Sequence, residues 1–348
     1  MKYEEIIGKI AHGLTGDPKK DIKYLMEQGE LYKTHELASE ILRGIGRLIS
    51  DAIPQENRKE IEQLIKNEEN KVQTIIEEAE FQIHKKNFSR ALEILESAIK
   101  DIEDDNGRLR RYFDDSVSEY HHFRNYLEEV LYIQTTKPER TVREMPENIG
   151  YLYHVCGFLY FETGRFDEAK VVLEKARKIN PVDTEAIFEL GEIYKRNGEW
   201  DHYLELSELG LSLSYTRSNL ARSYRNLGFY YIEQQKYDVA TALYHMSMFY
   251  DPKSIAAQSE LFIIQQITNK VSSVPSSDDI EKILEENKIQ LGPNVLILEI
   301  AEAIGAMAEE GGHYEAARHY YSVLYDLTLS EEVKKHMDNL PKEDLRGS

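Results

Sequence analysis

Apolar residues recur along most of this chain at helical rather than strand spacing. Tyr153, Cys156, Gly157 and Tyr160 fall at i, i+3, i+4 and i+7, one stripe of an amphipathic helix. Gly164-Arg165 interrupts that helix, and Phe166, Ala169, Leu173 and Ala176 form a matching stripe on a second, which Asn180-Pro181 ends. The pattern predicts a helix–turn–helix hairpin in which the small residues Gly157, Ala169 and Ala176 let the two helices approach closely. No alternating apolar run of strand length flanked by turns occurs, so the chain is expected to be all-α.

The pattern repeats. Gly157 and Gly191 are 34 residues apart, as are Phe166 and Trp200. The second unit runs through Leu190, Gly191, Tyr194, Gly198 and Trp200, with Tyr203 and Gly210 where the first has alanines. A third carries Tyr224, Leu227, Gly228, Tyr231, Tyr237, Ala240, Tyr244 and Asp251-Pro252, offset by about three extra residues around Thr216. Ala301, Ile304, Gly305, Gly312, Tyr314, Ala317 and Tyr321 mark a further unit, and Ala79, Phe88, Ala91, Leu95 and Ala98 one more over 72–105. These residues resemble the tetratricopeptide repeat (TPR), a family with an aromatic, a Leu-Gly pair, a Tyr, a later alanine-aromatic pair and a terminal Pro in each unit. The resemblance covers 72–105 and 148–325. It implies a TPR-type right-handed superhelical α-solenoid of antiparallel helix hairpins with a helical N-terminal region, which holds another protein and does not catalyse a reaction.

Placed on that frame, residues 1–70 form a helical N-terminal region in which Ile22, Leu25, Met26, Ala38, Leu42 and Ile45 could be one eroded unit. Asp17-Pro18 and Ile53-Pro54 put proline at the first position of a helix. Residues 71–105 are a TPR-like hairpin. Residues 106–147 are an insertion, read as a long helix from about 110 to 134 followed by an irregular stretch with Pro138 and Pro146. Three TPR hairpins occupy 148–254, and 255–293 are a degenerate hairpin whose later helix has Ser277 as N-cap. Another TPR hairpin fills 294–329, and 330–348 are a C-terminal capping helix and tail.

Composition narrows the partners. The formal net charge of −20 argues against nucleic acid, which needs a clustered positive surface. The 23 tyrosines suit stacked hairpins, where a ring fills the space between helices. A single cysteine, Cys156, excludes an internal disulfide and a thiolate-rich zinc site. No run of about 18 apolar residues offers a membrane span. The first residues carry Glu4 and Glu5 and no long apolar core, so they do not read as a signal peptide, and the expected location is cytoplasmic.

In a TPR array the first helix of each hairpin faces the concave side. Off the packing stripe, those faces carry Tyr151, His154, Phe158 and Phe161, then Glu185, Phe188, Glu192 and Lys195, then Arg222, Arg225, Phe229 and Ile232. The first of these helices is therefore apolar on two faces, which a solvated helix should not be. Tyr151, His154, Phe158, Phe161, Phe188, Glu192, Lys195, Arg222, Arg225 and Phe229 are accordingly the expected peptide-binding groove, with aromatic walls and a positive end. Two other uses of that face stay open: the insertion 106–147 could fill it, or it could form a homodimer contact. The Lys/Asn set with which TPR proteins grip chaperone C-termini is replaced here by His154, Phe158 and Glu189, so that carboxylate clamp is not supported.

No enzyme, metal or cofactor site is expected. Glu119 and His122 have di-iron helix spacing, but no second such pair accompanies them. His121-His122 point apart on a helix, Cys156 falls on a packing stripe, and Gly44-Ile45-Gly46 lies in an amphipathic helix rather than after a strand. In layout the chain is also similar to bacterial peptide-sensing TPR regulators of the Rap type. That similarity implies an alternative function, a peptide-responsive signalling regulator acting through its N-terminal helices.

Overall fold

The computed structural model describes residues 3–32, 41, 44–45, 48–49, 71–104, 114–145, 147–269 and 275–342. Ala38, Leu42, Gly46, the Ile53-Pro54 pair and Pro146 lie outside them, as do residues 105–113 and 270–274. The fold is all-α, with one short pair of strands among the described residues. Contacts divide the chain into two compact units, one made of residues 1–121 with 140–148 and one of 122–139 with 149–348.

In the first unit, α1 (Tyr3–His12) and α2 (Pro18–Leu31) bury Ile6, Ile10 and Leu25 against Ile41 and Ile45. The proline does open its helix. Asp21 closes the connection by accepting the Thr15 and Gly16 backbone N–H groups at 2.7 and 2.8 Å. Met26, grouped with the apolar residues in the sequence, is instead 63% exposed. Helix α3 (71–84) and α4 (Phe88–Glu103) then form a hairpin. It buries Val72, Ile76 and Ala79 on one side and Ala91, Leu95 and Ala98 on the other.

The expected helix from about 110 to 134 is not continuous. Asp115 accepts the N–H groups of Val117 and Ser118 at 2.8 and 2.6 Å, a side-chain turn that competes with helix formation. Strand β1 (Ser118–His121) follows. It pairs in parallel with β2 (Thr141–Glu144), in the register Ser118↔Thr141 to His121↔Glu144. Glu119, His121 and their neighbours thus sit on a strand, which removes the helical Glu-x-x-His spacing. Glu119 pairs with Arg140 at 2.9 Å.

The second unit opens with the remainder of the insertion, α5 (Tyr126–Thr136), capped by the Asn125 side chain. Three regular hairpins follow: α6 (Ile149–Glu162) with α7 (Phe166–Ile179), α8 (Thr184–Asn197) with α9 (Trp200–Leu213), and α10 (Arg217–Glu233) with α11 (Tyr237–Tyr250). Helices α12 (Ile255–Thr268) and α13 (Ser277–Glu286) both pack against α11. Ser276, not Ser277, caps α13, in a reciprocal capping box with Asp279. The α14 (Val295–Glu310) and α15 (Tyr314–Thr328) pair is again regular, and α16 (Glu331–Asp338) packs on α15.

Inside each regular hairpin one helix offers bare backbone to a large side chain of the other. A methyl at Gly157 would lie 2.5 Å from Leu173 Cγ; at Gly228 it would meet the Tyr244 ring at 2.9 Å, and at Gly305 the Tyr321 ring at 2.9 Å. In the second hairpin the roles reverse. Gly210 of α9 makes room for Phe188 of α8 at 2.6 Å, whereas Gly191 has the Tyr203 ring only at ordinary contact, 3.7 Å.

The contrast gives a test. In an open helix Gly→Ala stabilises by roughly 0.5–1 kcal/mol. Gly8→Ala, with nothing within 4 Å of the new methyl, is expected to follow that rule. Gly157→Ala is expected to do the reverse and cost about 1–3 kcal/mol through overpacking against Leu173. Denaturant melts of the two variants against the parent measure both signs.

Candidate functional site

The first helices α6, α8 and α10 carry the faces of interest, and the last two are fixed at their starts by polar caps. Asp183 accepts the N–H groups of Glu185 and Ala186, and Thr216 accepts that of Asn219. The Asn219 side chain also donates to Thr184 Oγ1 at 2.6 Å, tying α10 to α8. With their starts held side by side, the faces off the packing stripe become neighbours.

On α6, Tyr151, His154, Phe158 and Phe161 are all half-buried, while Leu152, Tyr153, Val155, Cys156, Gly157, Leu159 and Tyr160 are buried. The Tyr151 and His154 rings meet edge to face at 5.6 Å, and Phe161 meets Phe166 in the same way at 5.3 Å. His154 Nδ1 is shielded from solvent and has no hydrogen-bond partner. On α8 and α10, Arg222 reaches Glu189 at 2.9 Å and Glu185 at 3.6 Å, with its guanidinium 4.8 Å from the Phe188 ring centre. Lys195 pairs with Glu192 at 2.6 Å and lies 4.6 Å from the Phe229 ring, which in turn contacts Trp200 and Tyr203.

Three of the expected groove residues behave differently from the sequence-based picture. Phe188 is 1% exposed and fills the space left by Gly210, so it belongs to the hairpin core rather than to an open wall. Arg222 is already paired with carboxylates of the neighbouring helix. Arg225 turns toward α11, donating to Ser247 Oγ at 3.1 Å beside Asp251 at 3.7 Å, and burial lowers its affinity for its proton. The positive end is therefore matched from within the chain. With the charged members of this face paired to one another or to neighbouring helices, its half-buried aromatic residues are Tyr151, Phe158, Phe161 and Phe229.

A buried polar cluster escaped the sequence reading. Glu128 of α5 is 0% exposed. It accepts from the Asn180 side chain at 2.8 Å, the Tyr215 hydroxyl at 2.9 Å and the Arg124 backbone at 2.8 Å, and pairs with the Arg124 side chain at 3.1 Å. Arg124 also engages Asp183. Burial, aided by the Glu128 carboxylate, pushes the Tyr215 hydroxyl well above its ordinary range, so it remains a donor. Asn180-Pro181 looked like a helix stop alone. Its asparagine also serves the insertion, a contact between residues 52 apart that no local pattern announces.

The structure and spacing define the second unit as an array of TPR-type helix hairpins. No protein-family model matches the chain. It is 23% identical over 188 residues to human protein O-mannosyl-transferase TMTC1, a match that spans 54% of this chain but 20% of that protein. Among solved structures, the thermophilic TPR protein TTC0263 of Thermus thermophilus covers 55% of this chain and 98% of its own, at 16% identity and a TM-score of 0.30. A chain of the APC/C hetero-tetramer Cut9–Hcn1 covers 98% of this chain and 69% of its own, at 10% identity and a TM-score of 0.24. Among the described residues no group of His, Cys, Asp and Glu could hold a metal, and no helix is long and apolar enough to cross a membrane.

The polar cluster can be tested directly. Glu128→Ala leaves Tyr215 and Asn180 without their acceptor and Arg124 with one carboxylate fewer. It is expected to cost about 3 kcal/mol, the low end for a broken buried pair because Arg124 is partly solvated. A double-mutant cycle with Tyr215→Phe, read by denaturant melts, should show strong coupling between the two sites.

Proposed function

We propose that this chain is a non-enzymatic cytoplasmic scaffold or adaptor that holds a protein or peptide segment against the first helices of its hairpins. The observation that carries this reading is the second apolar face of α6. Tyr151, His154, Phe158 and Phe161 stay half-buried beside a fully buried stripe, and no Asp, Glu, Lys or Arg falls between Ile149 and Phe161. Aromatic side chains held rigidly and partly open are the usual anchors of a protein interface. The TPR-type repeats support a protein-interaction role in general. The transferase activity in the name of TMTC1 is a property of that protein, of which this chain matches a fifth.

The bound segment is an amphipathic one with large apolar anchors. An acidic tail is not favoured, because Glu185, Glu189 and Asp251 already answer Arg222 and Arg225. Charge reversal of Arg225 would set a carboxylate beside Asp251 and Ser247 and disturb the hairpin, so apolar truncation is the cleaner probe.

A second reading is favoured by the separate compact unit at the N-terminus, with its own core of Ile6, Ile10, Leu25, Ile41 and Ile45. In it, peptide capture is relayed to that unit, which acts on another protein as a signalling regulator. Hydrogen exchange separates the two, since a relay alters protection around Ile6, Ile10 and Leu25 when peptide is added and a passive scaffold leaves it unchanged.

Panning a random phage-displayed peptide library on the full chain supplies probes for the site. Recovered peptides are expected to bind with an affinity nearly independent of salt, and Phe158→Ala or Phe229→Ala should each weaken binding about tenfold. Fluorescence anisotropy of the labelled peptides measures both effects. If no peptide is enriched, or both variants bind like the parent, this face is not the binding site.

A further inference from the structure

Among the described residues of the second unit, helix α12 is the first helix left most open on its outer side. It packs on α11 through Ala257 and Ile264, and α13, which would be its hairpin partner, packs on α11 instead of along it. The opposite side leaves Ile255 79% and Phe262 61% exposed, and Ile263 at 44% and Ile267 at 53% continue the exposed apolar surface along its flank. Four large apolar side chains exposed on one helix form a contiguous patch rather than scattered surface hydrophobes. A shallow groove of about 440 Å³ opens along Ile255, Gln258, Ser259, Phe262 and Ile263.

The same face carries no charge. None of the eight exposed positions of α12 is ionisable, and its one acid, Glu260, is half-buried. That composition stands out in a chain that is 30% charged with a formal net charge of −20. A basic partner would be drawn to acidic surface, whereas a neutral face is where a second molecule of the same high negative charge approaches with least repulsion. The stripe is also self-complementary. In an antiparallel pair with its two-fold axis between residues 260 and 261, Ile255 faces Gln266 of the second copy and Ser259 faces Phe262, all four lying on the side opposite the buried stripe. A small residue thereby opposes a large one, and Phe262 lies next to the axis, where the groove can receive it.

We infer that the outer face of α12 is a self-association surface, through which two copies of this chain dock with their α12 helices antiparallel. The contact is isologous, and the two helix dipoles oppose one another favourably. One helix pair is a small interface by the standard of stable dimers, so dissociation in the micromolar range is expected.

Sedimentation velocity of the full chain across the micromolar range tests this. The parent should shift from the chain mass toward twice that mass. Phe262→Glu, a change at an exposed position that leaves the helical circular dichroism intact, should stay monomeric throughout. It should also capture library peptides like the parent, which separates this surface from the peptide site. The Ile255→Cys/Gln266→Cys double variant should oxidise to a disulfide-linked dimer, since the native Cys156 is buried. A parent that is monomeric at every concentration overturns the inference, whether or not another chain docks there, and so does a Phe262→Glu variant that dimerises like the parent. Dimerisation without the engineered cross-link overturns the antiparallel register.

Discussion

Where the two helices of a hairpin cross, a ring or branched side chain of one rests on bare backbone of the other. Tyr244 against Gly228, Tyr321 against Gly305, Leu173 against Gly157 and Phe188 against Gly210 are four versions of this contact. It brings the helix axes close, so that buried alanines such as Ala169, Ala240 and Ala317 can complete the seam. It also decides which residues are left over. Once one stripe of a first helix is committed to its partner and the next to the adjacent hairpin, the remaining stripe must either meet solvent or serve another molecule. On α6 that stripe is aromatic, and its half-open rings follow from the same packing that holds the hairpin together.

The hairpins were legible in the sequence because their determinants are local and periodic. Gly157, Gly191, Gly228 and Gly305 each occupy the position that the repeat register assigns, and Asp17-Pro18 opens a helix as its chemistry requires. The insertion was not legible. A helical pattern over 110–134 gave no hint that the Asp115 side chain would turn the backbone, or that Ser118–His121 would find a partner strand more than twenty residues later. At the site, periodicity could single out helix faces but not the pairings across them. Which carboxylate meets Arg222, and whether Phe188 points into the core, depend on how two hairpins stack, and single-helix periodicity carries no information on that.

Charge and apolar surface are distributed unevenly as a result. Acids from α8 answer basic residues on α8 and α10 at close range, so a strongly acidic chain has one locally balanced face. Helix α12 reaches neutrality by another route, carrying almost no ionisable residues at all. The first arrangement tolerates a polar rim around aromatic anchors. The second is hydrophobic without a rim, and its exposure comes from α13 taking a place against α11.

The insertion helix α5 has a mechanical meaning. In an ordinary repeat stack each hairpin touches only its neighbours, so the stack can stretch and twist like a spring, one coil at a time. Here Glu128 and Arg124 hold the turn before α8 through Asn180 and Asp183, and Glu128 and Asn125 hold the turn before α10 through Tyr215. The same helix lies against α14, far along the chain. A brace spanning several coils stiffens them as a set, so a load on one hairpin is shared with others distant in sequence. Elastic compliance in this unit should therefore be concentrated where the brace does not reach.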